Sequence, residues 1–152
     1  MAQVVVILMG LQASGKSSFV AAHLKGYTHI SKDHFPNARR PAKRQQRLLE
    51  EALAGEESIV VDNTNPTRAD RAPIIAAAKL ASVKVIGYYF ESTVKKCKAR
   101  NAKRLGKACV PDIAIHATVA KLEHPSYEEG FDELHFVRLK KGKFVIEPWR
   151  EK

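Results

Sequence analysis

The segment Gly10-Leu11-Gln12-Ala13-Ser14-Gly15-Lys16-Ser17 fits GxxxxGK(S/T) at every defined position and directly follows the apolar run Val4-Val5-Val6-Ile7-Leu8-Met9. At average residue frequencies, 152 residues match that pattern by chance roughly once in two hundred. The context is more selective still, because the pattern operates only between a buried strand and a helix. An apolar run without alternation reads as a central parallel strand covered on both faces. Glycines let the next stretch of backbone wrap a phosphate with its N–H groups turned inward, and a helix opening near Lys16 adds its positive end. Lys16 is spaced to reach the β- and γ-phosphates of a nucleoside triphosphate, and the Ser17 hydroxyl to complete a Mg²⁺ shell. Gly10, Gln12, Ala13, Ser14, Gly15, Lys16, Ser17 and Ser18 are therefore the expected nucleotide-binding residues, with Ser17 the metal ligand.

The remainder alternates strand and helix signals. Tyr27 to Ser31 reads as a short strand, and residues 40–54 as a helix with Leu48, Leu49, Ala52 and Leu53 apolar. Ile59-Val60-Val61 is a buried strand ending at Asp62, Thr67 is placed to cap a helix through Ala81, and Val83 to Phe90 is a strand. Ser92 or Thr93 would cap a basic helix, punctuated by Gly106 and Pro111, with a shorter helix running to about Leu122. Two extended runs around Lys141-Gly142 close the chain as a hairpin. This order predicts an α/β fold with a mostly parallel central sheet and helices on both faces.

Length suits one domain over 1–152, and 45% hydrophobic with 28% charged residues excludes a disordered or fibrous chain. The longest apolar run is far short of the ~20 residues of a membrane span. It follows Met1 with neither a basic leader nor a small-residue cleavage site, so a cytoplasmic protein without membrane association is expected. Cys97 and Cys109 lack CxxC spacing, which argues against a disulfide framework or a four-ligand zinc site and suits a reducing compartment. The six histidines form no metal-binding pattern.

Charge is unevenly placed. Lys and Arg number 26 against 16 Asp and Glu, a net of +10. Residues 32–47 hold six basic residues and one acid, and residues 95–107 hold seven and none, leaving the rest slightly acidic. Focused excess of this kind attracts a polyanion; a generally basic surface kept for solubility is the plainer alternative.

A phosphate loop serves switches, motors and kinases alike. The chain has no NKxD or DxxG signature for a GTPase switch, and an AAA-type motor needs a larger module with sensor elements. A compact kinase needs a base for the acceptor hydroxyl and arginines that close over the phosphates. Asp33 lies just past the second strand in Ile30-Ser31-Lys32-Asp33, where a parallel sheet would turn it toward the phosphate loop. There it is either that base or a capping or turn residue. Asp62 ends a hydrophobic strand, an arrangement that holds Mg²⁺ through water or positions an acceptor. Asn63, Thr64 and Asn65 either donate to an acceptor or form the turn before Pro66. Arg100 and Arg104 stand four apart in a segment without acids, so one helical face could present both to a polyphosphate, with Gly106 as the exit of a lid over approximately 95–111.

The order GxxxxGKSS, SKD, VVDNTNP, and ARNAKR followed by Val110-Pro111 resembles the ATP-dependent polynucleotide 5′-hydroxyl kinases. That family includes a phage end-healing enzyme and the kinase domain of the animal end-repair kinase/phosphatase. The likeness runs from Val4 to about Val137 and includes Tyr127-Glu128-Glu129-Gly130-Phe131. It implies a P-loop kinase fold with an arginine-bearing lid, and ATP with Mg²⁺ held at Lys16 and Ser17. It also implies Asp33 as general base, Asp62 in support of the acceptor site, and Arg100 and Arg104 on the ATP phosphates and transition state. One departure stands out: the phage member carries an arginine three residues after the base, gripping the phosphate next to the reacting end. Pro36 occupies that position here, leaving Lys32, Arg39 or Arg40 for the contact. No DxDGT-type phosphatase motif occurs, so phosphatase activity is not expected.

The expected function is transfer of the ATP γ-phosphate to a 5′-OH end of DNA or RNA. Asp33, Lys16, Arg100 and Arg104 would be catalytic, and Lys32, Asp33, Asp62, Asn63, Thr64, Arg39 and Arg40 would bind the acceptor. A kinase for a small acceptor (nucleoside, sugar or antibiotic) is the alternative, and a nucleotide-gated nucleic-acid-binding module without chemistry is a third class. No protein partner is inferable.

Overall fold

The computed structural model describes residues 2–106 and 109–151. Lys107, the last of the basic residues in 95–107, lies outside the described residues. Six strands, β1 (Val4–Met9), β2 (Thr28–Ile30), β3 (Ile59–Asp62), β4 (Lys84–Phe90), β5 (Glu133–Lys140) and β6 (Lys143–Pro148), make one sheet in the order β2-β3-β1-β4-β5-β6. Every neighbouring pair is parallel except β5 and β6. That last pair is the expected hairpin, turned by Lys141 and Gly142, both at positive φ.

Among the described residues the helices are α1 (Lys16–His23), α2 (Pro41–Leu53), α3 (Arg68–Leu80), α4 (Val94–Asn101) and α5 (Asp112–Lys121). Strand β1 is buried on both sides, and its alternation divides the core. Val5, Ile7 and Met9 pack with Leu49 of α2 and with Ile74, Ile75 and Ala78 of α3. Val6 and Leu8 pack with Phe19 and Val20 of α1 and with Phe90 and Val137. Each of these large side chains contributes about 1.5–3 kcal/mol on leaving water. A third cluster, Leu11 with Cys97 and Ile115, seats α4 and α5 on the loop after β1.

Strands β1 and β3 are neighbours, yet α1 passes to one face and α3 to the other. A crevice opens between the carboxyl ends of such a pair, which is where open α/β sheets bind ligands. The helix α3 starts as expected: Thr67 Oγ1 accepts from the Asp70 N–H at 3.0 Å, and Asp70 accepts back from the Thr67 N–H at 3.3 Å.

Two local expectations fail. Neither Ser92 nor Thr93 caps α4 with its side chain; the Ser92 hydroxyl is engaged elsewhere, as described below. The basic helix also ends at Asn101 rather than near Gly106, so Arg104 does not share a helical face with Arg100. The buried Asn101 amide donates to the Val110 carbonyl at 2.6 Å and accepts the Val110 N–H at 3.0 Å. The Lys103 and Arg104 N–H groups meanwhile bond carbonyls three residues back, tightening the chain out of α-helical geometry.

Candidate functional site

The loop after β1 is held from both flanking strands. The Gly10 N–H donates to the Thr64 carbonyl at 3.0 Å, beyond β3. The Leu11 N–H donates at 3.1 Å to Ser92 Oγ, which itself donates to the Phe90 carbonyl at 2.8 Å, at the end of β4. Gly10 has φ +144°, and a Cβ there would lie 3.1 Å from Phe90 Cβ and 3.2 Å from Phe90 O. Glycine is required by both its conformation and its neighbours. No side chain caps α1, so its first-turn N–H groups remain suited to an anion.

Lys16 is buried beneath this loop. Its Nζ donates to the carbonyls of Gly10 at 3.0 Å and Leu11 at 2.7 Å. Loss of solvation lowers its pKa from 10.5 to about 8, against the opposing pull of the Asp62 charge. Arg104 pushes the same way as burial, which brings its guanidinium within electrostatic reach of Lys16 although it lies off the helix. Arg100, near the end of α4, donates from Nη1 to the Ala13 carbonyl at 3.3 Å. Gln12 donates to Thr118 Oγ1 of α5 at 3.0 Å. Helices α4 and α5 thus rest on Leu11, Gln12 and Ala13.

Asp62 closes the crevice opposite α1. Its Oδ2 accepts from Ser17 Oγ at 2.9 Å and contacts His29 Nε2 at 2.8 Å. The oxygens of Ser17 and Asp62 are the hard donors that Mg²⁺ prefers. Among the described residues no group of three or more His, Cys, Asp and Glu side chains is arranged to hold a metal. A Mg²⁺ here would be held at Ser17 with the nucleotide phosphates. The buried ammonium, the uncapped helix and the nearby guanidinium groups fit a polyphosphate.

The next residues are spent on support. The Asn63 amide accepts the Lys32 N–H at 2.9 Å and donates to Gln45 Oε1 at 2.6 Å. The Asn65 amide donates to the Leu8 carbonyl at 2.7 Å. In this structure both asparagine amides therefore brace neighbouring elements, Asn65 turns the chain at φ 42°, and Thr64 contributes its carbonyl to Gly10.

Asp33 sits exposed on a short 3₁₀ turn, Lys32–His34, straight after β2. The cap of that turn is Ser31, whose Oγ accepts the Asp33 N–H at 3.2 Å, so the Asp33 carboxylate is not used for capping. Its charge is among those acting on Lys16. Beyond it, Pro36, Arg39 and Arg40 are exposed and Lys32 is half-buried. A groove of about 500 Å³ is lined by Arg39, Arg40, Lys43, Arg44, Arg47 and Glu50 among others. Arg44 also lies over the Phe35 ring, 5.0 Å from its centre. A second cleft, of about 1020 Å³, lies over β4 to β6 between Tyr89, His124, Phe136 and Trp149. It contains none of the expected site residues.

Sequence reasoning missed four supports. His29 and Ser92 carried no motif, and Gln45 is hidden in a basic helix. Arg71 is fully buried, bonded to Glu129 through Nε at 2.8 Å and Nη2 at 3.2 Å, and to the Asn65 carbonyl at 3.0 Å. The usable signal was the Tyr127–Phe131 stretch: Glu129 is the partner of Arg71, and Phe131 is core.

The family model described as AAA domain (AAA_33) matches residues 5–125, which span the phosphate loop, the Asp33 turn, the end of β3 and helices α4 and α5. The chain belongs to this family. It is also 28% identical over 152 residues to a bifunctional polynucleotide phosphatase/kinase of Schizosaccharomyces pombe, covering 97% of the chain and 36% of that protein. The chain thus spans about a third of that relative. Among solved structures it is similar to a fungal RNA kinase, at 15% identity and TM-score 0.71, covering 94% of this chain and 78% of that one. A gluconokinase from Sinorhizobium meliloti 1021 matches at 21% identity and TM-score 0.62, covering 89% and 82%. At those identities the likeness establishes the architecture, which is the α/β P-loop kinase fold. No helix among the described residues is long and apolar enough to cross a membrane.

Proposed function

We propose that this chain is an ATP-dependent polynucleotide 5′-hydroxyl kinase that uses Mg²⁺. The observation that carries the acceptor is the cationic groove beside the Asp33 turn. Lys43, Arg44 and Arg47 stand at i, i+1 and i+4 on one exposed side of α2, Arg47 also 3.9 Å from Glu51, and Arg40 at the helix N-cap adds a fourth positive charge to the groove. A small neutral acceptor has no use for such a cluster, whereas a phosphodiester backbone does. The similarity to the fission-yeast phosphatase/kinase supports the same class.

In this mechanism Asp33 accepts the proton of the 5′-hydroxyl. The freed oxygen bonds to the γ-phosphorus while the bond to the β–γ bridging oxygen breaks, and ADP leaves. Lys16, Arg100 and Arg104 lie against the donor phosphates and offset the charge that spreads over the transferred group. Ser17 would hold Mg²⁺, which when bound would supply further neutralisation of the phosphate oxygens. Asp62 faces the acceptor from the end of β3, and Lys32, Arg39 and Arg40 flank the strand near its reacting end.

The test offers γ-labelled ATP with a panel of acceptors: 5′-OH DNA, 5′-OH RNA, a nucleoside and gluconate. Label on either oligonucleotide, and none on strands already carrying a 5′-phosphate, is the expected result. Label on the small acceptors alone overturns the polynucleotide assignment, and label on nothing overturns the kinase assignment.

A further inference from the structure

We infer that His29 is a positioning residue for phosphoryl transfer at this site, holding Asp62 and the Asp33 turn in a fixed mutual arrangement. The inference rests on the proposed kinase function and extends it to a residue outside the phosphate loop, the strand-end aspartate and the lid.

Register explains how His29 arrives there. Strand β2 pairs with β3 so that His29 lies beside Val60, on the face covered by α1. Asp62 projects from that same face two residues farther along, and the imidazole reaches up to it. The aspartate side chain is only 4% exposed, so its charge must be compensated by donors. It finds two on one oxygen, Ser17 Oγ at 2.9 Å and His29 Nε2 at 2.8 Å. A carboxylate can only accept, so the shared proton sits on Nε2.

These two donors have different prospects during turnover. Ser17 is the residue expected to turn its hydroxyl oxygen to the metal when the magnesium nucleotide binds. His29 has no such competing duty, and it is then the donor that keeps Oδ2 in place. The same ring meets His34 edge-on, with centroids 4.9 Å apart and planes at 79°. His34 directly follows Asp33 on the 3₁₀ turn. His29 therefore contacts both the strand-end carboxylate and the turn that carries the proposed base. With its side chain 29% exposed, it is no buried core histidine placed for packing alone.

The experiment compares His29→Gln, which can offer an amide N–H near the Nε2 position, with His29→Phe, which keeps a ring and loses the donor. Both are assayed on whichever acceptor the panel identifies, and thermal melting first verifies that each variant is folded. His29→Phe is expected to lower kcat by about 10–100-fold with KM for ATP changed less than about threefold, and His29→Gln to recover most of the loss. Equal losses in both variants, a wild-type kcat in His29→Phe, or a change confined to KM for ATP overturns the assignment. A variant that fails to melt cooperatively is replaced by an NMR readout on wild-type protein. The proton on His29 Nε2 should be slow to exchange with water, and Asp62→Ala should abolish that protection; rapid exchange in the wild type overturns the assignment. Transfer to a small acceptor instead of a strand defeats the polynucleotide proposal while leaving the His29 comparison fully readable. Transfer to no acceptor defeats both.

Discussion

The loop after β1 and the turn after β2 sit at the same end of one sheet, yet they are built by opposite means. The loop is buried and tied on every side: Gly10 to Thr64, Leu11 to Ser92, Gln12 to Thr118, and Lys16 to the loop's own carbonyls. The turn is exposed at Asp33, His34 and Pro36, and it is held by the Ser31 cap, the Asn63 side-chain amide, the His29 ring against His34 and the buried Phe35. A site that stabilises charge developing on phosphate gains most from groups fixed before the reaction begins. A site that chooses an acceptor can leave the choice to a few exposed side chains. The donor half is therefore written in backbone geometry, which many kinases share, and the acceptor half in surface charge.

The sharpest way to break this division is Asp33→Ala. Removing the proposed base should lower transfer by about 10²–10⁴-fold, the usual worth of general-base catalysis. Affinity for magnesium ATP should change by less than about twofold, because the donor loop does not depend on the turn for its hydrogen bonds. Label transfer and a nucleotide titration on the same preparation measure the two effects. Nucleotide affinity falling in step with transfer would show that loop and turn form one coupled unit.

A somewhat smaller effect comes from pH and isolates the donor half. Burial lowers the Lys16 pKa to about 8, while an unfolded chain gives a lysine of ~10.4. Polyphosphate binding needs the ammonium form. Below pH 8 that form is already present and affinity should be flat with respect to Lys16. Above pH 8 binding must take up a proton, and affinity should fall by up to about tenfold per pH unit until roughly pH 10. The same shift makes the nucleotide-free fold gain stability over that window, since the unfolded chain binds more protons there. Calorimetric titration in buffers of different ionisation enthalpy reads the proton uptake directly. A flat affinity to pH 10 would mean that Lys16 does not meet the phosphates.

How far the chain could be read in advance follows the same boundary. The donor loop was legible because GxxxxGK(S/T) records backbone demands, and a side chain at Gly10 would strain a φ of +144° and crowd Phe90. The β-strands were legible for similar local reasons. What stayed hidden depended on distant partners. The end of α4 is set by Asn101 bonding Val110, nine residues on. The contact of His29 with Asp62 needs the register of β2 on β3, which no local pattern contains. Asn63 and Asn65 suit either an acceptor or a turn by residue type, and their bonds to Lys32, Gln45 and Leu8 again depend on partners far along the chain.

The smallest expected effects test the acceptor half and sharpen the division of charge. Arg40→Ala and Arg44→Ala should each weaken binding of a 5′-OH single strand severalfold. Each should also make the slope of log affinity against log salt less negative by about 0.7, the worth of one phosphate contact on a single strand. Affinity for ATP should be unchanged in both. Arg100→Ala should behave in the reverse sense, because its guanidinium lies on the Ala13 carbonyl of the donor loop rather than in the α2 groove. It should weaken ATP binding and leave the strand's salt slope where it was. Fluorescence anisotropy across a salt series separates the two patches. If Arg100→Ala moved the strand slope as much as Arg40→Ala, the lid charges would belong to the acceptor as well. The basic residues would then form one continuous track, and the donor and acceptor halves would not be separate in their electrostatics.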